Sequence, residues 1–185
     1  MSKIRKGHPV IKADDWRNPW DPYLAGYKVY PTLTKKLDSP ELRFTQESIN
    51  EMVLWKVGRY TAVPDKLLGR LDELKSLSPG EHRQVEELMG ELLKIGGVRL
   101  PMASTFLRFA NPQVFQIFDR HIWRAVYGTA CPSLTKKAEE CCPVYFAFLD
   151  DLHALCRRIN ISYSDSDRIL FEFDKKENPP LSETT

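Results

Sequence analysis

The stretch that decides the fold runs from Ile95 to Gly128 and reads I-G-G-V-R-L-P-M-A-S-T-F-L-R-F-A-N-P-Q-V-F-Q-I-F-D-R-H-I-W-R-A-V-Y-G. It opens with a glycine turn at Gly96 and Gly97 between two helical patterns, and Asp119 follows an apolar run. The backbone amides of such a turn and of the next helix start can hold a phosphate. A carboxylate at the edge of apolar surface is a candidate for chemistry.

Both features also have purely structural interpretations. A Gly-Gly pair can end one core helix before the next begins. Asp119 can cap the helix that follows it, and capping is compatible with a chemical role. Taken alone, neither feature decides between the two interpretations.

The patterns on both sides of this stretch predict an all-α protein, because apolar residues recur at three-to-four spacing and no strand pattern exceeds a few residues. The first helix, with a start at Ser39-Pro40, is expected to bury Ile49, Met52, Val53 and Val57. The predicted helices run from Ser39 to Gly58, Pro64 to Leu77, Ser78 to Gly96, Pro101 to Phe109, His121 to Tyr127, Cys142-Pro143 to Arg158 and Asp165 to Lys175.

Proline and glycine positions divide the chain into three parts. Residues 1–38 contain four prolines and five aromatic residues. They are expected to form an extended arm packed on the body, since proline disfavours helix and aromatic residues disfavour disorder. Residues 39–177 are expected to form the helical body, with a hairpin at 95–103, and residues 178–185 a loose tail.

Composition limits the classes of function. The formal net charge of +2 is too small to indicate nucleic-acid binding by itself. No apolar run approaches the ~20 residues of a membrane span, and no signal-peptide pattern is present. The four cysteines fit neither a disulfide framework nor a metal motif. We therefore expect no metal and reduced thiols in a cytoplasmic protein, associated with the nucleoid if the source is bacterial.

The two motifs together resemble the helix-hairpin-helix DNA glycosylase superfamily, relatives of endonuclease III and 8-oxoguanine glycosylase. Ile95, Gly97, Val98 and Ala103 match the family's hairpin, and Asp119, His121, Ile122 and Arg124 match its D-x-H-V-x-R segment. The resemblance covers about 35 residues. It implies a two-lobed helical fold, double-stranded DNA as the partner, a monomer and no cofactor, since the iron–sulfur cysteine loop of endonuclease III is absent.

The resemblance also implies roles for individual residues. Asp119 would be the catalytic carboxylate of a glycosylase that flips a base out of the duplex and hydrolyses its glycosidic bond. Trp55, Tyr60 and His121 would form the base pocket. The residues expected to contact DNA are Gly96, Gly97, Val98, Arg99, Arg120 and Arg124.

Two departures from the family sharpen this expectation. Arg99 stands where the family has the second hairpin glycine, and it would clash with a phosphate or bind one. Pro101 stands where strand-cutting members carry a lysine, so we expect hydrolysis without strand cleavage. Lys94 lies nearby in sequence but in no family position.

Several alternatives stay open at this stage. Trp55 can be a core residue, His121 can bond to backbone, and Arg120 or Arg124 can pair with Asp119 instead of with phosphate. The whole protein can be a non-catalytic nucleic-acid-binding protein of the same fold, or a helical module that binds another protein through its aromatic arm.

Overall fold

The computed structural model describes residues 30–58, 61–135 and 137–181. Over these residues the chain consists of α-helices joined by turns and short 3₁₀ segments, without a strand, which confirms the all-α prediction. The chain divides into two compact units between residues 60 and 61. Residues 39–60, which the sequence assigned to the helical body, therefore belong to the first unit.

The first unit contains helices α1 (Pro31–Leu37) and α2 (Gln46–Lys56). Helix α1 corrects the prediction of an extended arm for its seven residues. Proline is favourable at the first position of a helix, and Lys35 and Lys36 in the last turn complement the helix dipole. Residues 1–29 of the predicted arm lie outside the described residues.

Helix α2 begins at Gln46, so the predicted start at Ser39-Pro40 is wrong. The reason is a capping box: the Ser48 amide donates to Thr45 Oγ1 at 3.2 Å, and the Thr45 amide donates to Ser48 Oγ at 2.8 Å. This pair satisfies two amides that a helix start otherwise leaves unpaired. The predicted burial of the α2 apolar face is also wrong, because Ile49, Val53 and Val57 are 41%, 55% and 57% exposed.

The second unit contains six α-helices among its described residues. These are α3 (Asp65–Glu73), α4 (Glu86–Leu93), α5 (Leu100–Ala110), α6 (Arg120–Tyr127), α7 (Ala138–Ile159) and α8 (Ser166–Glu177). Short 3₁₀ segments follow α3 and precede both α4 and α8. These helices agree with the predicted ones to within a few residues, with two exceptions. The start of α7 differs, and the predicted third helix begins as a 3₁₀ segment at His82–Val85.

Helix α7 begins at Ala138, whereas the sequence placed its start at Cys142-Pro143. Pro143 lies inside the helix on an exposed position, and it removes the amide that would bond the carbonyl of Glu139. Because Glu139 is exposed as well, water can satisfy that carbonyl. A proline on the solvent side is thus tolerated near the helix start.

The core of the second unit lies between α4, α5, α7 and the irregular segment that precedes α6. Its most deeply buried side chains are Met89, Leu92, Leu107, Phe115, Tyr145, Phe148 and Leu152. The Tyr145 hydroxyl donates to the Gln116 carbonyl at 2.9 Å, which anchors the irregular segment to α7. Among the described residues, no helix combines the length and the apolar character that a membrane crossing requires.

Candidate functional site

The turn between α4 and α5 is held in a fixed shape. The Val98 amide donates to the Ile95 carbonyl at 3.2 Å, and the Val98 side chain is fully buried. Gly97 has a φ of 84°, a conformation that side chains other than glycine rarely adopt. A Cβ added there would meet Thr61 Oγ1 at 3.6 Å, which is ordinary contact. The backbone conformation, and not lack of space, therefore requires the glycine.

The outer side of this turn is accessible. Gly96, Gly97 and Arg99 are exposed, while Val98 is buried in the core. Arg99 is the N-cap residue of α5 in an extended conformation, and its side chain makes no capping hydrogen bond. Pro101 occupies the first turn of α5, as predicted. A helix start, a turn and an exposed guanidinium thus lie side by side, which is an arrangement suited to an anion.

A hydrogen bond connects α5 to the segment that carries Asp119. The Phe118 amide donates to Ser104 Oγ at 2.9 Å, and the Ser104 hydroxyl donates to the Pro101 carbonyl at 2.9 Å. Ser104 is fully buried. The position of Asp119 is therefore fixed relative to the helix that follows the glycine turn.

Asp119 caps helix α6. Its Oδ1 accepts a hydrogen bond from the His121 amide at 2.7 Å, and its backbone is extended, as an N-cap requires. The structural interpretation of Asp119 is thus confirmed. The side chain is only partly buried.

Asp119 also lies on the wall of a cavity of about 300 Å³. Apolar atoms of Ile117, Ile122 and Phe171 supply much of that wall, and Asp167, Arg168 and Glu172 complete it. No residue of the glycine turn lines this cavity in the part of the chain that the structure describes. The capping carboxylate is therefore also available to a molecule in the cavity.

His121 and Arg124 bind a carboxylate that the sequence analysis did not identify. Arg124 Nε and Nη2 each donate to Asp174 at 2.8 Å, and His121 Nδ1 lies 2.7 Å from Asp174 Oδ2. Asn178 Nδ2 donates to Asp174 Oδ1 at 2.8 Å. The Asp174 side chain is fully buried. Hydrogen bonds from Arg124 lower the pKa of Asp174 to about 2, and those from His121 and Asn178 act in the same direction.

This cluster gives two predicted site residues a structural contact. The Arg124 guanidinium donates to both carboxylate oxygens of Asp174 and so joins α6 to α8. The His121 ring packs edge-on against Phe171 with centroids 4.9 Å apart, in addition to its contact with Asp174. Two residues of the D-x-H-I-x-R motif, His121 and Arg124, therefore join helices α6 and α8.

The remaining predicted residues fall in different places. Arg120 is exposed at the first position of α6. Trp55 belongs to the first unit, where its Nε1 donates to Thr34 Oγ1 at 2.9 Å. Tyr60 lies outside the described residues. Lys94 is exposed and lies with Lys66 and Glu91 on a surface depression. It does not line the cavity that contains Asp119.

A second buried ion pair beside the cavity was also missed. Arg108 Nε donates to Asp167 Oδ2 at 2.9 Å, and Arg108 Nη2 donates to the Ser164 carbonyl at 3.1 Å. Both charged side chains are almost completely buried. A signal was present in the sequence: Asp167, Leu170 and Asp174 share one face of α8, so two acids lie on its apolar stripe.

The thiol of Cys131, which the charge of Asp119 influences, is a weak nucleophile at neutral pH. Burial and the Asp119 charge raise the pKa of Cys131 to about 11, so the thiol stays protonated at neutral pH. Across residues 30–58, 61–135 and 137–181, no group of three or more metal-binding side chains converges.

Comparisons with protein-family models, with curated proteins and with solved structures found no match to this chain.

Proposed function

We propose that the protein binds duplex DNA through the turn between α4 and α5 and hydrolyses the glycosidic bond of a damaged or modified base with Asp119. The observation that carries this proposal is the position of Asp119. A carboxylate on the wall of a largely apolar cavity of about 300 Å³ can act on a molecule that enters it. The resemblance of the two motifs to helix-hairpin-helix glycosylases supplies the reaction.

The DNA-binding part rests on the exposed turn. The exposed backbone of Gly96 and Gly97 and the start of α5 suit a phosphate, and Arg99 adds a full positive charge at the same place. Such contacts read the backbone and not the sequence. Because each neutralised phosphate releases counterions, the affinity should fall as salt concentration rises.

The chemical part needs few residues. The enzyme would take the target nucleotide out of the stack, at a cost of about a few kcal/mol. The ionised Asp119 would stabilise the positive charge that develops on the sugar as the bond to the base breaks. A water held by the same carboxylate would bond to the sugar carbon and give up its proton, leaving the free base and an abasic site.

The capping geometry makes it possible to test the charge of Asp119 separately from its role as a helix cap. Aspartate and asparagine are about equally good N-caps. Asp119→Asn should therefore keep helix α6 and remove only the charge, whereas Asp119→Ala should remove both. We expect Asp119→Asn to fold with unchanged stability and to release no base from duplexes carrying uracil, 8-oxoguanine or alkylated purines.

Controls in the same assay decide the interpretation. Glu172→Gln removes a charge from the same cavity and should retain base release. Treatment with borohydride should trap no covalent complex, because Pro101 has no amine to attack the sugar. Equal activity of the wild type and Asp119→Asn, or no release from any duplex, would refute the enzymatic proposal.

A second candidate function is DNA binding without excision. Two observations favour it: Asp119 has a complete structural role as a helix cap, and His121 and Arg124 are both bound to Asp174. In that case Asp119→Asn and wild type would bind duplex DNA equally, with the same salt dependence. Loss of binding in Arg99→Gln, without base release by wild type, would support this candidate.

A further inference from the structure

A second cavity in the larger unit has a different chemical character. It has a volume of about 300 Å³ and lies between the 3₁₀ segment before α4 and the C-terminal half of α7. Val114, Leu149 and Tyr163 contribute apolar surface, and His82, His153 and Arg157 contribute nitrogen donors. None of its lining residues belongs to the Asp119 cavity.

His82 is the buried polar group of this cavity. Its side chain is only 9% exposed, and its Nε2 forms no hydrogen bond with the described residues. Asp150 Oδ1 lies 3.2 Å from this nitrogen, but outside hydrogen-bonding geometry. Burial lowers the pKa of His82 and so favours its neutral ring. A buried polar nitrogen without a partner is costly unless something else binds it.

Two more donors in the cavity lack hydrogen-bond partners among the described residues. Arg157 is exposed at its mouth, in the last turn of α7, and its guanidinium forms no hydrogen bond or ion pair there. His153 lies one turn earlier, on the same face of α7. Its ring contacts Tyr163 edge-on, with centroids 5.1 Å apart, and makes no hydrogen bond to a described residue.

The acidic group at this cavity already has a positively charged partner. Arg83 Nη2 lies 2.7 Å from Asp150 Oδ2, and the Asp150 side chain is about half exposed. Arg83 therefore offsets part of the negative charge of Asp150, and Arg157 adds a positive charge at the mouth of the cavity. An anion is favoured on the side of the cavity where Arg157 lies.

We propose that this cavity binds a phosphate monoester, with His82, His153 and Arg157 as its ligands. Three separate donors suit a tetrahedral group with three terminal oxygens better than a carboxylate with two. The volume exceeds that of one phosphate, and the surfaces of Val114, Leu149 and Tyr163 suit a small organic body attached to it. The phosphate can belong to a free small molecule or to the end of a nucleic-acid strand. This proposal does not depend on the activity of Asp119.

Calorimetric titration of the full chain tests the proposal with three probes. They are phenyl phosphate, benzoate of similar size, and a short single-stranded oligonucleotide with or without a 5′-phosphate. We expect saturable one-to-one binding of phenyl phosphate, and binding of benzoate at least ten times weaker. Arg157→Gln should weaken the binding of phenyl phosphate at least tenfold.

Arg158→Gln is the matched control, because Arg158 is the next residue on α7, is equally exposed and does not line the cavity. It should change affinity less than twofold. His153→Asn is a second variant on a partly buried position, and it should weaken binding while circular dichroism remains unchanged.

The outcomes separate the two sources of phosphate. Tight binding of phenyl phosphate, with no effect of the 5′-phosphate on the oligonucleotide, would identify a small free ester. Preference for the phosphorylated oligonucleotide, abolished in Arg157→Gln, would identify a strand end. Absence of saturable binding at millimolar concentration, equal binding of benzoate, or equal effects of Arg157→Gln and Arg158→Gln would overturn the proposal.

Discussion

Replacing Asp174 by asparagine should destabilise the second unit more than the same change of charge to amide at an exposed acid of α8. The carboxylate is fully buried and accepts hydrogen bonds from Arg124, His121 and Asn178. Asparagine has nearly the same shape, but it presents an NH₂ group where Arg124 needs an acceptor. The substitution therefore tests the charge of Asp174 with little change in packing.

The magnitude follows from the pKa of Asp174. Since a tenfold change in proton affinity is worth about 1.4 kcal/mol, a pKa of about 2 instead of the ordinary 3.8 corresponds to about 2 kcal/mol of stabilisation. Asp174→Asn also leaves the Arg124 guanidinium without its counter-charge, but that guanidinium is partly exposed and water can solvate it. We expect a loss of about 2 kcal/mol.

Urea unfolding followed by circular dichroism measures this loss. With a typical slope of about 2 kcal/mol per molar urea, the midpoint of unfolding should fall by about 1 M. Glu172→Gln is the matched control, because it removes a negative charge from the same helix at an exposed position that forms no ion pair with a described residue. It should stay within about 0.5 kcal/mol of wild type. A loss below about 1 kcal/mol in Asp174→Asn, or equal losses in both variants, would refute the reasoning.

Three further predictions concern acid, the turn and the core. Because the pKa of Asp174 is lower in the folded state than in the unfolded state, its contribution to the free energy of unfolding is complete above about pH 4 and should disappear as the pH falls toward about 2. The acid unfolding of Asp174→Asn should lack this loss of stability. Gly97→Ala should cost about 1 to 2 kcal/mol because its φ is 84°, whereas Gly96→Ala, with open space around the new Cβ, should be nearly neutral in the same thermal melt. Leu152→Ala should cost about 2 to 5 kcal/mol by opening a cavity in the core, and Leu68→Ala, which is 46% exposed, should cost less than about 1 kcal/mol in urea unfolding.

The parts of the fold that the sequence predicted correctly are those with strong local signals. The apolar stripe from Val85 to Leu93 is buried as expected, and Asp119 caps α6 as its position before that helix predicted. Where two local signals compete, the sequence alone was insufficient. Ser39-Pro40 looks like a helix start, but the reciprocal bonds of Thr45 and Ser48 determine the observed one.

The candidate site was harder to predict, because its contacts join distant parts of the chain. Arg124 and Asp174 are 50 residues apart, and Arg108 and Asp167 are 59 apart. Periodicity identifies the faces of α8 but not the partners that those faces meet. The sequence therefore predicted the helix cap at Asp119 correctly, while it gave no indication that His121 and Arg124 contact Asp174 on another helix.

The separation between Arg124 and Asp174 has a consequence for synthesis. A ribosome completes α6 well before it adds the last turns of α8, and at about 5 to 20 residues per second the interval lasts seconds. During that interval Arg124 has no counter-charge, so α6 is held to the core only by apolar side chains such as Ile122 and Trp123. The glycine turn, α5 and the segment up to Phe118 can form early, but the Asp119 cavity cannot close before its far wall at Phe171 and Glu172 has been made. Released chains that are truncated before residue 167 should therefore show a protected core and no site.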